Sequence, residues 1–280
     1  MFSVIIPLYN KEQSIAKTIA HVLKQRFVDL EILVINDGST DGSLAAVAAI
    51  DDPRIRVINK ANGGVSSARN LGIQEAKHPW IALLDGDDIW EEQHLSNMFA
   101  VMEQQEVQCI CTGFVLAQSN GTVIKTYQVE KEGLHNYFRL SNQMGFPVHS
   151  SAIAMRKTIL GDLRFNEKLT IGEDNDFWEK LGRKTEIYFI REVSSRYIDD
   201  SENKAIRKKH DLSKTHIYNI DLNIAMPEQE FVYYKKLIIY NVLLSFKNYN
   251  FANGLKLYWK HKKQVKGIDF FRFIVEIIRK

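Results

Sequence analysis

The fold class of this 280-residue chain is decided by one stretch, residues 80–88, which reads Trp80-Ile81-Ala82-Leu83-Leu84-Asp85-Gly86-Asp87-Asp88. An uninterrupted apolar run of this length predicts a strand buried on both faces, as in a parallel sheet. Open parallel sheets bind their ligands at the carboxyl ends of the strands, which is where the three carboxylates fall. The carboxylates repel one another unless a cation is present, and hard oxygen ligands suit Mg²⁺ or Mn²⁺. Taken alone, they would fit equally well in a solvated turn that caps a helix beginning near Glu91.

Three more apolar runs precede this stretch, and segments of helical periodicity separate them. The runs span 2–8, 31–35 and 54–58, and the helix before residue 80 is predicted over 66–76. Strands that alternate with helices predict an α/β fold with a mostly parallel central sheet and flanking helices. Pro7-Leu8-Tyr9-Asn10 and Asn36-Asp37-Gly38-Ser39 follow the first two strands. We therefore expect both clusters at the same edge of the sheet as Asp85.

The pattern changes beyond residue 105. Apolar runs at 107–116 and 122–128 flank Asn120-Gly121, and an Asn-Gly pair in that position predicts a β-hairpin. Further short strands are predicted at 150–155, 187–190 and 193–198, with a helix at 174–181. From residue 231 onward the pattern favours helix. We predict one domain over 1–225, divided into halves at 1–105 and 106–225, followed by a basic, aromatic helical tail over 226–280.

The net charge of +3 conceals an uneven distribution. Residues 231–280 contain 11 Lys and Arg against 2 acidic residues, whereas the rest of the chain has 26 against 32. Lysines interleaved with aromatic residues fit an anionic membrane surface. A helical appendage packed on the domain, with a solvated lysine face, is an equal alternative. No nucleic-acid-recognition fold is evident, so we expect no nucleic acid partner.

Features that would direct the protein out of the cytoplasm are not predicted. No basic segment precedes the first apolar run, and no apolar stretch reaches the ~20 residues of a membrane-spanning helix. Cys109 and Cys111 alternate within a predicted strand, where we expect them to be small buried hydrophobes. We predict a cytoplasmic protein, either free or held peripherally at the inner face of the cell membrane.

Several other polar residues are candidates for binding or catalysis. Asp37 could accept a hydrogen bond from a base N–H or a ribose hydroxyl, and Tyr9 could stack on the base. Arg69, near a helix start, could reach a phosphate. Glu173 and Asp174 open a predicted helix, where either could act as a general base. Each of them has a structural alternative. Asp37 could form an Asx-turn, Tyr9 could be an ordinary loop aromatic, and Arg69 could form a surface salt bridge. Glu173 and Asp174 could simply favour the N-terminus of a helix.

Five motifs, in order and at matching spacing, resemble the family 2 glycosyltransferases, whose fold is called GT-A. They are Val4-Ile5-Ile6-Pro7-Leu8-Tyr9-Asn10, Asn36-Asp37-Gly38-Ser39-Thr40-Asp41, Gly64-Val65-Ser66-Ser67-Ala68-Arg69-Asn70-Leu71-Gly72-Ile73, Leu83-Leu84-Asp85-Gly86-Asp87-Asp88 and Gly172-Glu173-Asp174-Asn175-Asp176-Phe177-Trp178. The resemblance covers roughly residues 1–200. It implies a GT-A catalytic domain with a nucleotide-binding half over 1–105 and an acceptor half over 106–225.

The resemblance also implies an inverting, metal-dependent transfer from a nucleotide sugar, commonly UDP-linked, with Mn²⁺ or Mg²⁺. The family's roles carry over to matching positions: Pro7, Tyr9, Asp37 and Arg69 would line the nucleotide pocket. Asp85 would contact the ribose or donor sugar, Asp87 would bind the metal directly with Asp85 beside it, and Asp88 would lie near the donor sugar. Asp174 would be the general base, with Glu173 as second choice. Relatives often carry a His after the last core strands that helps bind the metal or the diphosphate. Residues 196–203 contain none, so His210 is the substitute we predict, with a basic loop that closes over the diphosphate as an equal alternative.

The setting implied is cell-envelope polysaccharide or lipopolysaccharide synthesis, with a glycan or polyprenol-linked glycan as acceptor. Two other functions are weighed against this one. A phosphohydrolase could use Asp85 as nucleophile, but its motif normally follows the first strand of the domain. A non-catalytic nucleotide-sugar-binding protein would have lost its base, and Glu173-Asp174 counts against that.

Overall fold

A computed structural model describes residues 1–202 and 210–278. The described strands are β1 (Phe2–Leu8), β2 (Leu30–Asn36), β3 (Ile55–Asn59), β4 (Trp80–Leu83), β5 (Ile89–Trp90), β6 (Cys109–Ala117), β7 (Val123–Tyr127), β8 (Gly133–His135), β9 (Ile153–Arg156) and β10 (Ile187–Ile198). The described α-helices are α1 (Ile15–Leu23), α2 (Ser43–Ala48), α3 (Val65–Glu75), α4 (His94–Gln104), α5 (Tyr137–Met144), α6 (Lys157–Leu160), α7 (Glu173–Lys184), α8 (His216–Asn219), α9 (Glu228–Lys247), α10 (Phe251–His261) and α11 (Gly267–Ile278).

All ten strands belong to one sheet with the order β3-β2-β1-β4-β9-β6-β10-β5, while β7 pairs with β6 and β8 with β10. The first four strands in that order are parallel, because a helix crosses back between each pair that is consecutive in the chain. From β9 onward the sheet is mixed: β9 runs antiparallel to both β4 and β6, and β10 runs parallel to β6. The predicted α/β fold with a C-terminal helical appendage is confirmed.

Alternation along the buried strands divides the core into two layers. Ile5 of β1 points into the layer that contains α3, α7 and α9, whereas its neighbours Val4 and Ile6 point into the layer with α1 and α4. Each layer therefore covers one face of the parallel strands, which explains their unbroken apolar sequences. Tail residues such as Leu237 and Ile238 are buried in the first layer, so α9 is part of the domain core.

Strand register brings the predicted polar clusters together. Leu8 at the end of β1 pairs with Asn36 of β2, and Ile5 pairs with Leu83 of β4. The residues that follow these strand ends, Asp37 and Asp85 among them, thus emerge at one edge of the sheet. This edge positions the site described below.

Some local predictions need correction. The two strands predicted at 187–190 and 193–198 are one strand, β10, whose register with β6 shifts where the exposed Arg191 and Glu192 interrupt the apolar pattern. At the start of α2, Gly42 occupies the N-cap, and the Asp41 carboxylate accepts a hydrogen bond from the Ser43 N–H at 3.0 Å. Both cysteines lie on β6, buried and unpaired, as the alternation predicted.

Within the described ranges, no helix combines the length and the apolar character needed to cross a membrane.

Candidate active site

A cleft of about 730 Å³ opens at the carboxyl edge of the parallel strands. Eight of the residues singled out from the sequence line it: Pro7, Tyr9, Asp37, Arg69, Asp85, Asp87, Glu173 and Asp174. They come from strand ends and helix starts in all five motifs, up to 167 positions apart between Pro7 and Asp174. Asp88 lies beneath the cleft, fully buried. His210 is half-buried and is not among the described residues that line it.

Asp37 holds the loop that leads into α3. Its carboxylate accepts hydrogen bonds from the backbone N–H groups of Gly63 at 2.9 Å and Gly64 at 2.8 Å, and it pairs with Lys60 at 2.5 Å. Gly64 has a φ of +88°, a conformation that glycine adopts without strain. The described contacts of Asp37 therefore fix the wall of the cleft, and direct contact with a nucleotide stays a prediction.

Arg69 is carried to the sheet edge by the close packing of α3 on β1. At Gly72, one turn further along α3, a Cβ atom would lie 2.3 Å from Ile5 Cγ2, so only glycine permits this approach. The Arg69 guanidinium, 3% exposed, donates to Asp85 Oδ1 at 2.7 Å and lies 3.7 Å from Glu173 Oε1. Burial acts to lower the pKa of Arg69, but the charges of Asp85 and Glu173 outweigh it and raise the pKa.

The three neighbouring carboxylates point in three directions. Asp85 faces Arg69. Asp87 pairs with Lys11 at 2.7 Å and accepts a hydrogen bond from the Ser201 hydroxyl. Asp88 turns into the protein, where it accepts from Ser151 Oγ at 2.5 Å and from the Ile198 N–H at 3.0 Å. A tight turn, with the Asp88 N–H bonded to the Asp85 carbonyl at 3.0 Å, produces this divergence.

His149 is a site residue that sequence reasoning missed. Asp85, Asp88 and His149 each offer a ligand atom within 4.8 Å of the others, a carboxylate and imidazole donor set that divalent cations accept. The His149 ring lies between Phe114 and Tyr197, with centroids 5.4 and 4.5 Å away. Its position follows from the antiparallel pairing of β9 with β4, which brings the start of β9 to the carboxyl end of β4. The basic run Arg207-Lys208-Lys209 that precedes His210 lies outside the described residues.

Glu173 and Asp174 stand at the N-terminus of α7, directly after Gly172. Gly172 has a φ of +78°, and a Cβ there would lie 2.8 Å from His216 Cβ, so glycine allows the helix to start in this crowded place. Burial raises the pKa of Glu173 to about 7; the adjacent Asp174 raises it further and Arg69 opposes both. Asp174 Oδ1 accepts from the Asn175 N–H at 2.8 Å. Two carboxylates in different environments thus share the end of one helix.

Helix α9 of the tail packs against α7 and contacts its buried side. Glu179, on α7 and 1% exposed, accepts hydrogen bonds from Tyr233 at 3.0 Å and Tyr234 at 2.7 Å, both on α9, and lies 2.8 Å from His216 Nε2. His216 in turn donates its backbone N–H to the Ile171 carbonyl at 2.9 Å. The start of α7 is therefore held by contacts that reach the tail, and α7 also forms one wall of a second cavity of about 460 Å³.

Among residues 1–202 and 210–278, acidic side chains outnumber basic ones around the main cleft. The ionisable lining consists of Asp37, Asp85, Asp87, Glu167, Glu173 and Asp174 against Lys11 and Arg69, together with His149. A diphosphate would be repelled by this excess unless a cation were bound beside it. The cleft can therefore hold a cation, a phosphate-bearing ligand bound through it, and a carboxylate base.

Comparisons with known proteins place the chain in a family. The family model described as glycosyl transferase family 2 matches residues 3–163. The uncharacterized glycosyltransferase EpsJ of Bacillus subtilis is 32% identical over 187 residues, or 63% of this chain and 54% of that protein. The glycosyltransferase GlyG of Streptococcus pneumoniae is 28% identical over 175 residues, which cover 61% of this chain and 54% of that protein. The chain spans about half the length of these two relatives. Hyaluronan synthase of Pasteurella multocida is 27% identical over 237 residues, or 84% of this chain and 24% of that protein.

Among solved structures, residues 1–349 of S. aureus TarS in complex with UDP-GlcNAc superpose with a TM-score of 0.67. The alignment covers 99% of this chain and 80% of the TarS fragment at 18% identity, so the likeness shows a shared fold. The family match spans more than half of the chain and includes the strand ends and helix start that form one side of the cleft. On this evidence the resemblance noted in the sequence is confirmed, and the protein belongs to glycosyl transferase family 2.

Proposed function

We propose that this glycosyltransferase moves a hexosyl group from a UDP-linked sugar to an acceptor hydroxyl, with inversion at the anomeric carbon. The observation that carries the proposal is one cleft in which Asp85 and Asp87, Arg69, and the Glu173-Asp174 pair meet. These are the groups that the reaction needs: cation ligands, a positive charge, and a base. The TarS structure with UDP-GlcNAc supports a UDP-linked donor for a chain of this fold.

The donor would occupy the side of the cleft formed by the parallel strands. Pro7 and Tyr9 line it, and Asp37 fixes the adjacent loop. Arg69 is held ready by Asp85, and among the described residues none accepts a hydrogen bond from its buried Nε or Nη1. A ligand oxygen in the cleft would satisfy such a donor. Asp88 would lie near the donor sugar. Because it is fixed under the turn by Ser151 and Ile198, it would also hold Asp85 and Asp87 in place.

A divalent cation, Mn²⁺ or Mg²⁺, would be held by Asp85 and Asp87, with Asp88 and His149 offering further ligand atoms beside Asp85. Bound there, it would stabilise the negative charge that develops on the diphosphate leaving group. Lys11 now neutralises Asp87, and it would have to move aside as the cation binds. His149 is better placed than His210 to complete the ligand set, because its ring already lies beside Asp85 and Asp88.

Asp174 would take the proton from the attacking hydroxyl. Both acids line the cleft, but Glu173 Oε1 lies 3.7 Å from the Arg69 guanidinium, which leaves Asp174 as the base. Glu173 is half protonated near pH 7 because its pKa is about 7, and it would tune the charge around Asp174. The acceptor, a glycan or polyprenol-linked glycan, would approach over the half formed by residues 106–225. The family resemblance and the basic tail support a cytoplasmic role in cell-envelope polysaccharide or lipopolysaccharide synthesis.

The test is a panel of UDP- and GDP-sugars with Mn²⁺, scored by thermal shift and by slow donor hydrolysis. We expect stabilisation and hydrolysis with one UDP-sugar, and loss of both on adding a chelator. Asp87→Asn and His149→Gln should weaken metal-dependent UDP binding, while Asp174→Asn should keep binding and lose turnover. If His149→Gln has no effect and His210→Gln does, the ligand set proposed here is wrong. Donor binding without any turnover would favour a binding protein, and a phosphoenzyme trapped at Asp85 would favour a phosphohydrolase.

A further inference from the structure

Helix α10 has one face that the core does not use. Phe251, Leu255 and Trp259 follow one another at intervals of four residues and are 53%, 47% and 59% exposed. Positions four apart lie on the same side of a helix, so the three side chains form one apolar line. The opposite side of the helix is buried through Gly254, Leu257 and His261. Phe251 also contacts the Phe246 ring of α9, with centroids 5.9 Å apart, but about half of each of the three side chains faces solvent.

Basic side chains border this apolar line. Lys256, Lys262 and Lys263 are exposed beside it, and Lys262 Nζ lies 4.2 Å from the centre of the Trp259 ring. The only acidic side chain that the structure describes between 231 and 275 is Asp269, and it pairs with Lys235 at 3.0 Å. Asp211 and Asp221, from the segment before the tail, interact with Lys256 and Lys260 and offset part of this charge. The surface still combines apolar side chains with an excess of lysines.

Helix α11 also has exposed apolar and basic side chains. Ile268 and Phe271 are 52% and 65% exposed, and Arg272 is exposed beside them. A ring contact of 6.0 Å between Tyr258 and Phe270 connects α10 to α11. Eight of the seventeen exposed large hydrophobic side chains in the described part of the chain fall within residues 240–274. Such a concentration marks an interaction surface, since isolated exposed hydrophobics are scattered on ordinary surfaces.

We propose that this face, defined by Phe251, Leu255, Trp259, Ile268 and Phe271 with the lysines beside them, binds the surface of an anionic lipid bilayer. Charge complementarity selects this occupant, because lysines contact anionic head groups while aromatic and aliphatic side chains enter the interface. A nucleic acid would satisfy the lysines and leave the aliphatic side chains in water. The proposal goes beyond sugar transfer and can be tested without donor or acceptor.

Trp259 supplies a direct readout. The chain has four tryptophans, of which Trp80, Trp90 and Trp178 are buried, so a change in their surroundings is not expected when a surface is covered. Intrinsic fluorescence of the wild-type chain should shift to shorter wavelength with vesicles of phosphatidylcholine and one-quarter phosphatidylglycerol. The shift should be absent with phosphatidylcholine alone and should reverse at high salt. No shift and no co-sedimentation with the anionic vesicles at low salt would overturn the proposal.

Paired variants separate the two contributions. Lys262→Gln with Lys263→Gln should weaken vesicle partitioning by about fivefold per lysine, or roughly 30-fold together. Lys17→Gln with Lys24→Gln removes the same charge from exposed positions around α1 and should leave partitioning within about twofold. Equal losses in both pairs would refute a specific face. Trp259→Ser with Phe271→Ser should abolish partitioning, whereas Val28→Ser with Ile124→Ser, also exposed, should not.

Sedimentation velocity of the same variants tests whether a second copy of the chain, and not a membrane, binds this face. If the wild-type chain is a dimer that Trp259→Ser with Phe271→Ser converts to a monomer while vesicle binding persists, the face joins two copies and the proposal is wrong. UDP binding, measured without vesicles, should be unchanged in every tail variant. If the wild-type chain does not bind UDP, the proposed transferase function is wrong, but the result with vesicles is unaffected.

Discussion

Replacing Glu173 by Gln should make the protein more stable at alkaline pH, because the native carboxylate is buried at the end of α7. Its pKa of about 7 lies well above the ordinary 4.5, with burial as the main cause and the charge of Asp174 as the second. One pH unit corresponds to ~1.36 kcal/mol, so the difference amounts to about 3 kcal/mol. Because the folded state binds this proton more tightly than the unfolded state, the stabilisation is complete below pH ~4.5 and is lost as the pH rises through about 7.

Glutamine resembles the protonated form, so Glu173→Gln should lack this pH dependence. Urea denaturation of both proteins from pH ~4 to ~8, in the presence of a chelator, measures the difference in the free energy of unfolding. We expect that difference to change by about 3 kcal/mol in favour of Glu173→Gln across the range. Glu167→Gln, which removes another acid from the lining of the cleft, serves as the control. A difference that stays constant with pH would refute the reasoning, since it would mean that Glu173 ionises as easily in the cleft as in water.

Three further predictions test how the site is held. Gly72→Ala should lower the free energy of unfolding by about 1–3 kcal/mol in thermal or urea denaturation, because its Cβ would lie 2.3 Å from a side-chain atom of Ile5; unchanged stability would show that α3 can move off β1. Ser151→Ala removes a hydrogen bond to the buried Asp88 carboxylate and should destabilise by about 1–3 kcal/mol while weakening Mn²⁺-dependent UDP binding, measured by calorimetry; tighter binding would contradict the positioning role. Glu179→Leu, which removes a buried carboxylate that accepts three hydrogen-bonding partners, should cost about 3–5 kcal/mol and expose the tail to protease, and resistance equal to that of the wild type would argue against a tail anchored by α7.

Features encoded by neighbouring residues were predictable from the sequence. The unbroken apolar runs of β1, β2 and β4 predicted parallel strands, because a strand covered on both faces has no reason to alternate. Polar residues directly after these runs had to emerge at one edge of the sheet, so Asp37 and Asp85 could be assigned to a common site without coordinates. The Glu173-Asp174 pair was likewise predicted to open a helix, and α7 begins at Glu173.

Contacts between distant segments were not predictable in this way. His149 was missed because its place depends on β9 running antiparallel to β4, a pairing that no local pattern indicates. Lys11 was missed for a similar reason: its partner Asp87 is 76 residues away, and a lone lysine in a loop has no distinguishing pattern. The exposed face of α10 was also hidden, since the sequence shows an amphipathic helix without showing which of its sides the core covers.

The order of strands and helices along the chain, the edge of the sheet at which the cleft opens, and the family could all be inferred from the amino-acid sequence. Tertiary structure alone decided that Asp85, Asp87 and Asp88 diverge to three different partners, and that Glu173 sits where its charge is poorly solvated. The physical reason is that hydrophobic periodicity is a property of adjacent residues. Burial, ion pairing and the pKa of a carboxylate depend instead on which remote groups the folded chain brings within a few ångströms.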